Sequence, residues 1–283
     1  MRPAAFRSGY RTLASTLMDS SPVSLRGARS ALVVAHPGHE LRVYGWLTLA
    51  RPDVYVLTDG SGHSGNSRLH ASAALLNEAG VRQGSIFGRL TDRELYDALR
   101  EQNVQLFRDL VLELADGLIA RGVTIVAGDA VEGYNPGHDI CRLLIDSAVA
   151  VAGRRGVRIA NYDFAVVGPW TSDAAMTVAL DDQSLERKVR AARCYEEMRS
   201  EVDKSIAELG LESFRVERFR LRSLTASLTP PDLPPFYESH GEKQVEAGHY
   251  RDVIRYRNHI APLNAMVRTI ARPDSSPSAG GSE

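Results

Sequence analysis

The chain has 283 residues, of which 43% are hydrophobic and 24% are charged, and its formal net charge at pH 7 is -1. This composition is typical of a globular protein with a substantial core. Because the charge is close to zero, the chain lacks the basic excess that a nucleic-acid backbone requires, so no nucleic-acid partner is expected.

Cysteine usage and hydropathy indicate a cytoplasmic protein. Cys141 and Cys194 are too few for a disulfide framework and suit a reducing compartment. No apolar run approaches the roughly 18 to 20 residues that span a bilayer, so no transmembrane segment is predicted. The basic leader at residues 1–29 and the polar tail at 271–283 are both predicted to be poorly ordered.

Strands and helices are predicted to alternate through the first half of the chain. The predicted strands are 31–35, 54–57, 85–87, 123–127 and 157–160, and the predicted helices between them are 41–49, 68–79, 91–121 and 138–153. This alternation predicts an α/β fold: a Rossmann-like, doubly wound, mostly parallel sheet with helices on both faces. The expected strand order is 3-2-1-4-5.

The remaining chain is predicted to extend this α/β domain, which spans 30–228. A long helix is predicted over 184–209 and an edge strand over 214–224, where apolar residues alternate with arginines. Residues 229–270 then form a proline-rich connector and a C-terminal helix over 250–270, packed on the same domain. The sequence does not indicate an oligomeric state.

Histidines follow two of the predicted strands. His36 and His39 come directly after the first strand, and His138 comes after the loop that follows the fourth. These two strands are neighbours at the topological switch point, where their carboxyl ends border a crevice. Three histidines that meet there would match the ligand set of a catalytic zinc site.

The residues around these histidines resemble a known family. Residues 35–40, AHPGHE, resemble the A-H-P-D-D-E motif of the PIG-L / LmbE-like N-deacetylases, and residues 133–138, GYNPGH, resemble its H-P-D-H motif. The segments 57–60 and 188–195 resemble its L-T-x-G and K-x-x-A-x-x-x-Y segments. The resemblance covers roughly residues 30–200, and the motif pair in its strand contexts is fairly specific.

This resemblance implies a zinc-dependent hydrolase that removes an acyl group from an amino sugar or glycoconjugate. His36 and His138 match two of the family's metal ligands, and His39 stands where the third is an aspartate. Zinc is the expected metal, with Fe²⁺ as an alternative divalent ion. Arg68 and Tyr134 occupy positions expected to contact the substrate.

Three residues depart from the family motifs. Gly38 replaces the aspartate that serves as general base, Asn135 replaces a histidine that assists catalysis, and Gly137 replaces an aspartate that orients a histidine. Asn135 retains a hydrogen-bond donor for an oxyanion but cannot transfer a proton. Asp59 and Glu40 are candidate replacement bases, although loop stabilisation and helix capping explain them equally well.

The departures leave two functions open. The first is a metal-dependent amidohydrolase on an N-acylated amino sugar, and the second is an altered or inactive relative that binds metal and a glycan without deacetylating it. Aromatic and arginine residues over 236–257 form either a substrate lip or a face that docks the C-terminal helix. Cys141 and His70 lie near the motifs in sequence, but a buried thiol and a solvated imidazole are the commoner outcomes.

Overall fold

The computed structural model describes residues 28–62, 64–168, 174–223, 226, 228–230 and 232–270. The predictions made for residues 1–27 and 271–283 lie outside the described residues.

The strands of this part of the chain form one mixed sheet. Its strands are β1 (Ser30–Val34), β2 (Asp53–Thr58), β3 (Arg82–Leu90), β4 (Ile125–Asp129), β5 (Ala160–Phe164), β6 (Met176–Ala179) and β7 (Val216–Leu221). The order across the sheet is β3-β2-β1-β4-β5-β7-β6. The first five strands are parallel to one another, whereas β7 runs antiparallel to both β5 and β6. The predicted doubly wound order is therefore confirmed.

Helices cover both faces of the sheet. They are α1 (Tyr44–Ala50), α2 (Leu69–Ala79), α3 (Asp92–Arg100), α4 (Val104–Ala120), α5 (Pro136–Arg154), α6 (Asp182–Cys194), α7 (Arg199–Leu209), α8 (Phe236–Glu246) and α9 (Ala261–Ile270). One apolar core lies between the sheet and α3, α4, α5 and α9, and the other lies under α1, α2 and α6. Among the described helices, none combines the length and the apolar character that crossing a bilayer demands.

Both long helices predicted from periodicity are interrupted. The one predicted over 91–121 divides into α3 and α4, because Gln102 adopts a left-handed φ of 50° and the Asn103 side chain caps the second helix by accepting from the backbone N–H of Leu106. The predicted capping box is confirmed: Thr91 and Glu94 bond to each other's backbone N–H. The helix predicted over 184–209 divides into α6 and α7, with a 3₁₀ turn over Glu196–Met198 between them.

The prediction of an edge strand at 214–224 is wrong in its position. This segment forms β7, which lies between β5 and β6, and the unpredicted β6 takes the edge. Two of the arginines that suggested a solvated face instead pair with buried acids, since Arg220 binds Asp163 and Arg222 binds Asp146.

Two further boundaries differ from the predictions. The third strand extends over Arg82–Leu90, and the fifth begins at Ala160. In the C-terminal region, α8 was not predicted, and the helix expected over 250–270 begins with a π-helical turn at Tyr256–Ile260. The C-terminal helix α9 packs on α4 and α5.

Candidate metal centre

The three histidines meet at the carboxyl ends of β1 and β4. The ring centroid of His36 lies 5.3 Å from that of His39 and 5.4 Å from that of His138, and the last two rings lie 4.6 Å apart. His36 and His39 belong to the turn after β1, whereas His138 stands in the first turn of α5. Residues about a hundred positions apart in sequence are thus brought together by the pairing of β1 with β4.

The spacing of the rings suits a shared metal ion. Three imidazoles that bind one tetrahedral zinc at about 2.0 to 2.1 Å have ring centres roughly 5 Å apart. Within the described residues, however, no group of three His, Cys, Asp or Glu side chains already has the geometry of a metal site. A metal ion is therefore favoured by the distances between the ring centroids and not by the directions in which the ring nitrogens point.

His36 has one bonded and one unsatisfied nitrogen. Its Nδ1 lies 2.8 Å from Thr58 Oγ1 and 3.1 Å from a carboxylate oxygen of Asp92. The Thr58 hydroxyl donates to the carbonyl of Ala35, so Nδ1 is the donor toward Thr58 and Nε2 carries the lone pair. Nε2 is buried and has no hydrogen-bond partner among the described residues. An unsatisfied buried nitrogen with a free lone pair is suited to binding a metal.

Asp92 holds His36 from the N-terminus of α3. Its second carboxylate oxygen accepts from the backbone N–H of Gly62 at 2.7 Å. Burial opposes the charged form of Asp92, but the hydrogen bonds from His36 and from the backbone N–H of Gly62 outweigh it and hold the pKa of Asp92 well below its usual value. A carboxylate bonded to the remote nitrogen of a histidine is a common device for orienting a metal ligand.

The ring of His39 is also held by a carboxylate, which comes from the end of β4. Its Nδ1 lies 2.8 Å from Asp129 Oδ2, and the same oxygen accepts from the backbone N–H of Ala35 at 2.8 Å. Asp129 is the last residue of β4 and is fully buried. Asp129 therefore ties the ring of His39 to the end of β1.

His138 is buried and its Nδ1 has no hydrogen-bond partner. Burial, reinforced by the neighbouring rings of His39 and His36, holds the pKa of His138 well below its usual value, so the ring is neutral. The nearest carboxylate oxygen belongs to Glu132, 4.0 Å from Nδ1. Burial raises the pKa of Glu132 to about 7, against the opposing backbone N–H groups of Val167 and Val166. A neutral imidazole is the form that binds metal.

Two glycines allow the close packing of this centre. At Gly137, an added Cβ would lie 2.9 Å from His36 Nε2, so a side chain there would displace the histidine. At Gly38, φ is 105° and an added Cβ would lie 2.2 Å from Met198 Sδ. At both positions where a glycine replaces an aspartate of the family motifs, a larger side chain would clash, with His36 at Gly137 and with Met198 at Gly38. Met198 occupies the space beside Gly38.

We expect Gly38→Asp to lower stability rather than to supply a working base. The variant must hold a side chain at a φ that favours glycine, which costs about 1–3 kcal/mol, and it must also displace Met198. Gly38→Ala is the control for an added Cβ, which meets both the strained φ and Met198, and Gly38→Asp combined with Met198→Ala removes the steric conflict. Urea unfolding and a deacylation assay measure both effects. A single Gly38→Asp variant of unchanged stability and increased activity would contradict this expectation.

The two acids considered as replacement bases are engaged in local structure. Asp59 Oδ1 accepts from the backbone N–H of Ser61 at 3.0 Å and so stabilises the loop after β2. Glu40 is fully buried, accepts from the backbone N–H of Gly38 and receives the Ser72 hydroxyl. These hydrogen bonds favour the structural interpretation of both residues.

Asn135 and Arg68 stand at the border of the centre. Asn135 caps α5, with its side-chain oxygen accepting from the backbone N–H of Gly137 at 2.7 Å. Its oxygen is therefore engaged, which leaves the amide N–H₂ as its donor. Arg68 Nε donates to the carbonyl of Gly60 at 2.7 Å.

Tyr134 begins a row of aromatic rings that leads away from the centre. Its ring centroid lies 6.4 Å from that of His138 and 5.0 Å from that of Phe236, on which it stacks. Phe236 in turn stacks on His240. Tyr134 and Phe236 are 46% and 51% exposed, so this part of the predicted lip is accessible to a ligand.

One arginine of the same segment has structural partners. Arg255 pairs with Glu238 and Glu242, and Tyr250 packs on Tyr96. The segment predicted over 236–257 therefore divides into an exposed aromatic row and a face that docks the C-terminal region.

Sequence reasoning missed several residues that support the histidines. Asp129 was grouped with the loop after the fourth strand, although its position at a strand end was a usable signal. Asp92 was overlooked because the capping box already accounted for the acidic residues at the start of that helix. No local pattern indicated Met198, because it reaches Gly38 from a 3₁₀ turn about 160 residues away.

The chain matches no family model and no curated protein. Solved structures do resemble it. The conserved protein TT1542 from Thermus thermophilus is 17% identical with a TM-score of 0.51, over 71% of this chain and 97% of that one. The chain shares its fold.

Two deacetylases are also among the similar structures. The zinc-inhibited form of teicoplanin deacetylase Orf2 is 13% identical with a TM-score of 0.44, over 69% of this chain and 99% of that one. The A40926 pseudoaglycone deacetylase Dbv21 is 14% identical with a TM-score of 0.45, over 71% and 99%. The similarity to TT1542 confirms the predicted α/β fold.

Proposed function

We propose that the chain is a metal-dependent amide hydrolase that removes an acyl group from an N-acylated amino sugar or glycoconjugate. The observation that carries this proposal is the meeting of three imidazoles at one edge of the sheet, two of them held through Nδ1 by carboxylates. Together with the motif resemblance, this arrangement fits a divalent metal, with zinc as the first choice.

The residues have complementary tasks in this proposal. His36, His39 and His138 would hold the metal, which when bound polarises an acyl carbonyl and lowers the pKa of water. Asn135 would offer its amide N–H₂ to the developing oxyanion.

Substrate contacts would come from residues at the border of the centre. Tyr134, with its ring 6.4 Å from that of His138, would contact the sugar or its substituent. Arg68, whose guanidinium contacts the loop after β2, would bind a polar group of the substrate. The substrate would be a small molecule encountered in the cytoplasm.

A second function is favoured by a specific observation. Met198 fills the space beside Gly38, and Asp59 and Glu40 are engaged in local hydrogen bonds, so the obvious carboxylate bases are absent or occupied. Loss of general base catalysis typically costs about 10²- to 10⁴-fold in rate. The alternative is therefore a protein that binds metal and an amino sugar without hydrolysing the amide.

Acyl release from defined substrates tests the proposal. The substrates are N-acetylglucosamine, its glycosides and N-acyl glucosamines of increasing chain length, incubated with metal-free protein to which zinc or Fe²⁺ is returned. We expect release of acetate or fatty acid only with metal, with chelation lowering the rate by about 10²-fold or more.

The same experiment separates the two functions. Sugar binding without release under any metal would favour the noncatalytic alternative. Release that is unchanged in the fully chelated protein would contradict metal dependence.

A further inference from the structure

The carboxylate of Asp129, beside the three histidines, is only partly compensated by its partners. Oδ2 accepts from Ala35 N–H and faces His39 Nδ1, but Oδ1 is buried without a hydrogen-bond partner. Within the described residues, His39 is the one basic group paired with Asp129. A buried carboxylate is costly unless positive charge balances it.

A neighbouring strand shows how this chain balances such a charge elsewhere. Asp163 is also fully buried, and it lies near the end of β5, the strand that pairs with β4 in the sheet. Its carboxylate pairs with the guanidinium groups of Arg220 and Arg222. Asp129 has an imidazole in place of those arginines.

The hydrogen bonds of Asp129 also decide the tautomer of His39. The backbone N–H of Ala35 donates to Oδ2, and a carboxylate oxygen accepts without donating. His39 Nδ1 must then carry its proton toward Oδ2, which leaves the lone pair on Nε2. The ring is thereby prepared as a ligand through Nε2, as His36 is through Thr58 and Asp92.

We infer that Asp129 is the positioning residue that adapts the three-histidine centre to a divalent cation. Asp129 fixes the tautomer of His39 so that the lone pair of Nε2 is available to a metal ion. It also supplies, through its hydrogen bond to the imidazole, the negative charge that three neutral histidines lack. A bound cation would in turn balance the buried carboxylate. This inference rests on the metal centre of the proposed function and names the residue that supports it.

Asp129→Asn tests the inference with little change of shape. If the oxygen of the introduced amide takes the place of Oδ2, it still accepts from Ala35 N–H and from His39 Nδ1, so the variant removes the negative charge and keeps the tautomer. We expect zinc affinity, measured by competition with a chromogenic chelator, to fall about 10- to 100-fold. Asp163→Asn is the matched control: it should lower stability without changing zinc affinity.

Two further measurements isolate the effect of Asp129. In the zinc-free wild type, ¹⁵N NMR of the imidazole should show the proton of His39 on Nδ1; finding it on Nε2 would overturn the inference without any variant. In a His39→Ala background, Asp129→Asn should no longer weaken zinc binding, since its effect passes through His39.

The outcomes distinguish this inference from the proposed function. Zinc binding by the wild type that Asp129→Asn leaves unchanged, or weakens equally in the His39→Ala background, overturns the role of Asp129 alone. A wild type that binds no zinc contradicts both the metal centre and the inference. Zinc binding that depends on Asp129 but is accompanied by no acyl release supports the inference and contradicts the hydrolase.

Discussion

Replacing His138 with leucine is expected to abolish zinc binding while leaving the zinc-free protein at least as stable as the wild type. His138 is buried with an unsatisfied Nδ1, and its burial keeps the ring neutral. An unsatisfied buried polar atom costs about 1–3 kcal/mol, and an apolar side chain of similar size removes that cost. If His138 had a structural role alone, His138→Leu would lower the stability of the zinc-free protein and leave zinc binding unchanged.

Thermal unfolding with and without zinc provides the measurement. A ligand at 1,000 times its Kd stabilises the folded state by about 4.1 kcal/mol, and this gain should disappear in His138→Leu. The matched control is His70→Leu, which alters an exposed histidine whose partner is Glu197. If His138→Leu keeps the zinc-dependent gain, or if it destabilises the zinc-free protein strongly, His138 is not the ligand proposed here.

Lys188→Met is expected to cause the largest loss of stability among these variants. Lys188 Nζ donates to Glu217 Oε1 at 2.7 Å, and both side chains are almost completely buried. The Glu217 carboxylate also accepts from the backbone N–H groups of Gly45 and Trp46, in the first turn of α1. Removing one partner of such a buried pair costs about 3–5 kcal/mol, because the other charge is left uncompensated.

Denaturant unfolding of three variants isolates this pair. Lys204→Met is the matched control, because Lys204 forms an exposed pair with Glu208 and its loss should cost no more than about 1 kcal/mol. Adding Glu217→Gln to Lys188→Met removes the uncompensated charge and should recover part of the stability. Equal effects of Lys188→Met and Lys204→Met would show that the buried pair contributes little.

The family motif K-x-x-A-x-x-x-Y gains a structural meaning from the same contacts. Lys188 supports α1 through Glu217 and donates to the carbonyl of Arg42. At the other end of the motif, the Tyr195 hydroxyl reaches Ser72, which in turn bonds to Glu40. The motif thus holds the segment that follows His36 and His39 against the rest of the domain.

Part of the fold was determined by local sequence. Runs of β-branched and aliphatic residues predicted β1, β2 and β4, because strands buried on both faces need such residues throughout. The alternation of these strands with helices was enough to predict the parallel order and to bring His36 and His138 to the same edge. The candidate ligands could therefore be predicted before any contact was known.

Other features depend on partners that are distant in sequence. Periodicity predicted one helix over 91–121, since the apolar spacing continues across Asn103, and only the cap and the left-handed φ of Gln102 show the break. Arg220 and Arg222 suggested an edge because their partners Asp163 and Asp146 lie on other elements. A side chain's charge predicts exposure only when no buried counter-charge is available.

The sequence by itself determined the three histidines, their strand ends and the departure at Gly38. The tertiary structure decided what surrounds them: Asp92 and Asp129 on the Nδ1 atoms of His36 and His39, and Met198 in the space beside Gly38. The physical reason is the distance in sequence between the residues that determine each feature. Strand ends follow from local hydrophobic patterns, whereas the tautomer and charge of each ligand depend on side chains brought into hydrogen-bond distance by strand order.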